Sequence, residues 1–207
     1  MDRRAHWEEV YRRKTDLETS WFQERPDDSL QLIRDSQLPL DAPVIDIGGG
    51  TSRLVDGLLA LGYADVTVLD IAANALERAE VRLGALASRV HWLAADVTHW
   101  VPQRRYRLWH DRAVFHFLTE AADRAAYRRN LEAALLPDGI AIIASFALDG
   151  PERCSGLPVL RYSPHSLAAE LGARFHLLDS RAIEHITPTG RTQRFQYSRF
   201  QYRPGDA

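Results

Sequence analysis

Only one cysteine, Cys154, occurs among the 207 residues. A lone thiol excludes an intramolecular disulfide and a cysteine-rich zinc site, and no metal is expected. Long apolar runs are also missing: none approaches the ~20 residues that span a bilayer. The opening Met-Asp-Arg-Arg-Ala-His has no apolar core of a secretory signal. The expectation is a cytoplasmic protein with no membrane partner. An excess of charge of one sign is lacking as well. The formal net charge is −2, so no global basic field draws nucleic acid, which is not expected as a partner. Repeats and low-complexity tracts are absent. What remains is an ordinary globular composition, 45% hydrophobic and 26% charged, at a length that suits one α/β domain over 1–207.

The first forty residues are polar with scattered aromatics. Trp7, Val10 and Tyr11 share a helical spacing, and Ser29 precedes Leu30, Leu32 and Ile33 as a second helix start. A strand–helix alternation follows. Short apolar strands are predicted at Val44–Ile47, Val66–Leu69, Val90–Leu93, Tyr106–His110 and Ile140–Phe146. Helices are predicted over Arg53–Leu61, Ala72–Ala87 and from a Thr119 cap to Leu136, with a turn at Pro137-Asp138-Gly139. After a short helix from Ser163-Pro164 to Leu171, Phe175–Ile186 and Arg191–Tyr202 read as an antiparallel hairpin. The run Phe195–Tyr202 breaks strict alternation, which calls for a bulge or a strand buried on both faces. The pattern predicts a doubly wound, mostly parallel seven-stranded sheet, with the C-terminal hairpin at its edge and helices on both faces. Within it, the expected divisions are a helical segment over 1–40, a core over 41–146, and a further segment with the hairpin over 147–207.

The loop Asp46-Ile47-Gly48-Gly49-Gly50-Thr51-Ser52 stands where such sheets bind ligands, beyond the carboxyl end of a strand. Glycine permits positive φ and close backbone approach, and the next helix presents free N–H groups. The dinucleotide pattern G-x-G-x-x-G fails at Arg53, and no Gly-Lys-Ser/Thr tripeptide exists for a phosphate-binding loop.

Asp46-x-Gly48-x-Gly50-x-Ser52 resembles the first motif of class I S-adenosylmethionine (SAM)-dependent methyltransferases, an acidic residue before G-x-G-x-G, with Ser52 in place of the last glycine. The likeness continues to residue 146: Asp70, Asp96 and Asp111 stand at successive strand ends, and Leu136-Pro137-Asp138-Gly139 is similar to the family's L-x-P-G-G turn. The resemblance implies SAM as cofactor and S-adenosylhomocysteine (SAH) as product. It implies that Gly48, Gly49, Gly50, Thr51 and Ser52 cradle the cofactor and that Asp70 accepts from both ribose hydroxyls. Ile71 would pack on the adenine, Asp96 would accept from its amino group, and the Val97 backbone would serve the ring. Asp111 and Arg112 would contact the methionine or acceptor side. The preamble His6-Trp7-Glu8…Tyr11…Ser20-Trp21-Phe22-Gln23 resembles a subgroup in which an N-terminal segment lids the cofactor, so Trp21 is expected over the sulfonium, where cation–π attraction operates.

Methyl transfer from a sulfonium needs alignment and sometimes a base. His116 is the first candidate base, because imidazole titrates near neutrality, and Asp111 the second. The segment 150–159 is expected to cover the acceptor, which Cys154, Arg161, Tyr162 and His185 would contact. His185, Thr187, Gln193, Phe195 and Tyr197 surround the last hairpin, read as sheet edge first and as acceptor lining second. No Asn-Pro-Pro-Tyr or Asp-Pro-Pro-Tyr follows strand four, which argues against nucleobase and glutamine acceptors. A small-molecule acceptor leads, a protein lysine is the alternative, and a non-catalytic SAM-binding protein is the third reading. Nitrogen, oxygen and sulfur acceptors share this fold.

Overall fold

The computed structural model describes residues 2–206. Nine strands are β1 (Val44–Ile47), β2 (Val66–Asp70), β3 (Val90–Ala94), β4 (Tyr106–Arg112), β5 (Leu135–Phe146), β6 (Arg153–Cys154), β7 (Leu157–Pro158), β8 (Phe175–Ile186) and β9 (Thr192–Tyr202). Six helices are α1 (Arg3–Arg13), α2 (Asp27–Asp35), α3 (Leu54–Ala60), α4 (Ala73–Leu83), α5 (Ala121–Ala134) and α6 (Pro164–Leu171). Seven strands form one sheet in the order β3-β2-β1-β4-β5-β9-β8, and β6 and β7 pair as a separate small hairpin. β1 to β5 are parallel, while β9 is antiparallel to both β5 and β8. The sheet is the one the sequence predicts.

Strand period places the site. Val44 and Leu108 point to the face covered by α2 and α3, whereas Ile45, Ile47 and Trp109 point to the face covered by α5 and α6. β1 and β4 align Asp46 with His110 and Ile47 with Asp111. Asp46, His110 and Arg112 therefore lie toward α2 and α3, and Asp111 lies on the opposite face.

Several predicted boundaries move. α4 stops at Gly84, whose φ of +57 takes the chain out of the helix, so 84–89 form a 3₁₀ turn. α5 begins after Glu120, not Thr119, and ends at Ala134. Leu135 already pairs with Tyr106, so Pro137-Asp138-Gly139 is an irregularity within β5 rather than a turn before it. α2 begins at Asp27, leaving Ser29 inside the helix. β9 is buried along most of both faces because it runs between β5 and β8, and the bulge lies opposite it at Leu178.

Candidate functional site

A cleft opens at the carboxyl ends of the parallel strands. Arg3, Trp7, Tyr11, Trp21, Gly48, Asp70, Ile71, Asp96, Val97, Arg112, Phe117, Phe146, Cys154 and Phe195 contribute to its lining. A smaller, more polar recess beside it is lined by Trp21, Gln23, Ser29, Asp46, Gly48, Gly49, Thr51, Ser52, His110 and Arg112. Trp21, Gly48 and Arg112 border both spaces.

The glycine loop makes the floor. Gly48 has φ +66, and a Cβ there would stand 2.1 Å from Val114 Cγ2. Only glycine fits. Ser52 Oγ accepts from the Leu54 N–H at 3.1 Å, satisfying a donor in the first turn of α3.

Asp70 is buried at the end of β2, and its Oδ1 accepts from the Ala72 N–H at 2.8 Å. Burial pushes its carboxyl up to about 7, the Asp46 charge adds to that, and bonds from the Ala72, Gly50 and Ile71 backbone oppose it. A vicinal diol would add two donors to those amides and favour the ionised carboxylate. Asp96 differs. Despite partial burial, bonds from Thr98 Oγ1 at 2.7 Å and Thr98 N at 2.9 Å, with Arg3 nearby, hold it below its usual range. The Val97 carbonyl accepts from Asn130 Nδ2 at 2.7 Å, which fixes this wall. Between the two carboxylates, Ile71 and Val97 give an apolar slot for a flat ring.

The N-terminal segment roofs the cleft. Asn74 Nδ2 donates to the Glu8 carbonyl at 2.8 Å, and Arg78 donates to the Tyr11 and Lys14 carbonyls and to Asp16. These bonds dock α1 on α4. The docked helix sets Trp7 and Tyr11 each edge to face with Trp21, Trp7 edge to face with Phe117, and Trp7 tilted against Tyr11, with ring centroids 5.0 to 6.4 Å apart. Aromatic faces around an enclosed space attract a desolvated cation.

A buried relay supports the floor. Asp46 Oδ1 lies 2.7 Å from His110 Nδ1, and His110 Nε2 lies 2.9 Å from Ser29 Oγ. Since a carboxylate only accepts, Nδ1 donates to Asp46 and the Ser29 hydroxyl donates to Nε2. β1, β4 and α2 are thereby tied together under the glycines.

At the far end, Arg112 donates from Nε to Tyr197 Oη and from Nη1 to the Trp21 carbonyl, both at 2.8 Å, and lies 4.8 Å over the Phe195 ring. Phe117, Phe146, Phe195 and Cys154 complete this end. The Cys154 thiol is held up by burial, and its Sγ sits 4.0 Å from Ser20 Oγ.

Other expected site residues lie elsewhere. Asp111 is fully buried on the opposite face. It accepts from the Val114 and Phe115 N–H groups and from Tyr127 Oη at 2.6 Å, so its oxygens are occupied and it faces no ligand. His116 is also fully buried, its ring packed against Phe117 and Phe146, and burial, with the Arg112 charge, pushes it down to about 3. It does not line the cleft. Its Nδ1 accepts from the Phe146 N–H at 3.3 Å, so it holds backbone rather than acting as a base. Arg161 pairs with Glu152 and the Gly150 carbonyl at the surface. Tyr162 packs on Phe115. His185 Nε2 donates to the Ser20 carbonyl at 2.7 Å, fastening the lid to β8 rather than touching an acceptor.

Sequence reading missed the relay of Ser29 and His110, and the contribution of Arg3, Phe117 and Phe146. His110 carried a signal: it stands two residues before Arg112, on the same strand face.

The cleft suits an adenosine-bearing sulfonium. Its ribose would meet Asp70, its base Asp96 and the Ile71–Val97 slot, and its charged sulfur the aromatic roof. Among the described residues, no group of three or more His, Cys, Asp or Glu is arranged to hold a metal ion, and no helix is long and apolar enough to cross a membrane.

A family model described as a methyltransferase domain matches residues 44–139. Human EEF1A lysine methyltransferase 2 is 30% identical over 82 residues, 36% of this chain, and the match spans only 35% of that protein. The Burkholderia thailandensis 1,6-didemethyltoxoflavin-N1-methyltransferase, solved with 1,6-didemethyltoxoflavin and SAH, superposes with a TM-score of 0.76 at 24% identity, covering 97% of this chain and 87% of that one. The N-methyltransferase NodS from Bradyrhizobium japonicum, solved with SAH, gives 0.72 at 17% identity, covering 97% and 99%. These two likenesses carry the fold.

Proposed function

We propose that this chain, whose residues 44–139 match a methyltransferase-domain model, transfers the methyl group of SAM to a small-molecule acceptor. The observation that carries the reading is the apolar lining of the cleft's far end. Trp21, Phe117, Phe146, Phe195 and Cys154 line it, and the Trp21 and Ser20 carbonyls are pinned to Arg112 and His185. A concave, apolar end beneath a pinned segment suits a compact acceptor.

The bound cofactor supplies a methyl group on an electrophilic sulfonium. The chain supplies position. Asp70 and Asp96 fix the nucleoside, Gly48 and Gly50 let the backbone approach, and the aromatic roof excludes water from the transfer. Neither expected base reaches the cleft, so alignment, not proton abstraction by His116 or Asp111, is the chain's contribution to rate.

The likeness to a human lysine methyltransferase favours a protein acceptor as the second reading. Incubation with radiolabelled SAM and a host extract separated into small molecules and macromolecules distinguishes the two. Label among small molecules is expected, and label on a protein band would overturn that choice. We also place the reaction in the cytoplasm, a reading supported by the single cysteine.

A further inference from the structure

Arg112 holds an unbalanced charge. Two of its three guanidinium nitrogens are engaged, Nε by Tyr197 Oη and Nη1 by the Trp21 carbonyl. Both partners are neutral. The third, Nη2, is buried and has no hydrogen-bond partner. No carboxylate of the described residues forms an ion pair with this arginine, although most other arginines near the cleft have one: Arg3 pairs with Asp96 and Asp123, Arg78 with Asp16, and Arg82 with Asp56. A half-buried guanidinium whose Nη2 is out of contact with water and without a counter-charge is costly unless a ligand completes it.

Its surroundings bring no negative charge to offset it. The Arg112 charge works against protonation of the nearby His116 and His185, after burial itself. Beside it stand the Phe117, Phe146 and Phe195 rings and Cys154, and the carboxylates of the two spaces it borders, Asp46, Asp70 and Asp96, form no ion pair with it. Phe195 lies under the guanidinium plane, and the bonds from Tyr197 and Trp21 fix its rotation. Arg112 borders the cleft beside Phe117, Phe146 and Phe195, so its unpartnered Nη2 is a fixed donor for a group bound there. Such a donor matches a planar anionic group. An ammonium brought there would meet like charge.

Resting on the methyl-transfer reading, we propose that Arg112 is the acceptor-recognition residue and that the acceptor is a small acid with an apolar or aromatic body, its anionic group held by the Arg112 Nη2 edge. A lysine ammonium is disfavoured by the same charge.

The test uses benzoate, benzamide and benzylamine as probes, titrated by calorimetry into the full chain loaded with SAH. Benzoate is expected to bind at least about tenfold more tightly than benzylamine or benzamide. Arg112→Met should abolish that preference, and Arg112→Lys, which keeps the charge, should retain part of it. SAH and 5′-methylthioadenosine are titrated into the same proteins. If Arg112→Met weakens SAH about tenfold but spares methylthioadenosine, which lacks the amino-acid carboxylate, the guanidinium belongs to the cofactor and the proposal is overturned. Equal binding of the three probes, or binding of none, overturns it in the wild-type protein whatever the variants do. A wild-type protein that binds neither nucleoside overturns the methyl-transfer reading and this assignment together. Nucleoside binding without an anion preference overturns this assignment alone.

Discussion

The Tyr11 hydroxyl stands so close above Gly50 that a Cβ at position 50 would lie 2.4 Å from its oxygen. The N-terminal helix thus closes directly on the glycine loop, and the third glycine of the run makes room for the lid as well as for a ligand. Gly50 also has φ +46, a conformation that costs an L side chain.

Gly50→Ala is expected to destabilise the protein by about 1–3 kcal/mol and to weaken SAM binding, because α1 must lift. Adding Tyr11→Phe should recover part of the loss, since the hydroxyl is the nearest obstacle. Urea denaturation of the single and double variants measures this. An additive double variant would show that the two residues do not meet.

Asp70 couples cofactor affinity to pH. Its carboxyl is raised to about 7 in the folded protein, and only the ionised form accepts from both ribose hydroxyls. SAM affinity should therefore fall as pH drops below about 7, approaching tenfold per unit at full coupling. Calorimetry across pH 5.5 to 8.5, roughly the window around that value, checks it. A flat profile would remove Asp70 from the ribose.

The same shift works against stability. A carboxyl whose folded pKa lies above its unfolded value favours the fold at low pH, and that contribution is lost as pH rises through about 7. Asp70→Asn should accordingly stabilise the ligand-free protein at pH 8 by roughly 1–2 kcal/mol while weakening SAM binding by more than about tenfold. Thermal melts with and without SAM separate the two effects.

His116 behaves oppositely. Its folded pKa of about 3 lies below the unfolded value, so it costs nothing above neutrality and destabilises the fold as pH falls below about 6.5. His116→Phe should lower stability at pH 8 by about 1–2 kcal/mol through the lost bond to the Phe146 N–H, flatten the acid limb of the stability curve, and leave the pH dependence of kcat unchanged. A lost kcat inflection would restore His116 as a base.

His185→Phe removes the donor to the Ser20 carbonyl. Faster tryptic cleavage of the N-terminal segment is expected, together with a higher KM for SAM. Unchanged proteolysis would mean that the aromatic contacts alone hold the lid.

Much of the sheet was readable because strands such as β1 and β2 are short, buried apolar runs that end at Gly48 and at Asp70. Boundaries were harder. The end of α5 shifted because Leu135 found a partner in Tyr106, a pairing that no local pattern announces. Asp70 and Asp96 were expected from the resemblance, which sets carboxylates at these strand ends; both line the cleft, whereas the strand-end Asp111 does not.

The sequence by itself determined the strand–helix alternation, the glycine loop and the places where carboxylates end strands, since these depend on local periodicity and backbone freedom. Tertiary structure decided which of those side chains meet a ligand. Successive residues of a strand face opposite ways, so Asp111 turned to Tyr127 while its neighbours His110 and Arg112 turned to the α2 and α3 side. His116 lost its basicity to burial, and Arg112 gained its importance from the absence of a counter-charge around it. Both are properties of an environment assembled from distant segments, which no spacing along the chain encodes.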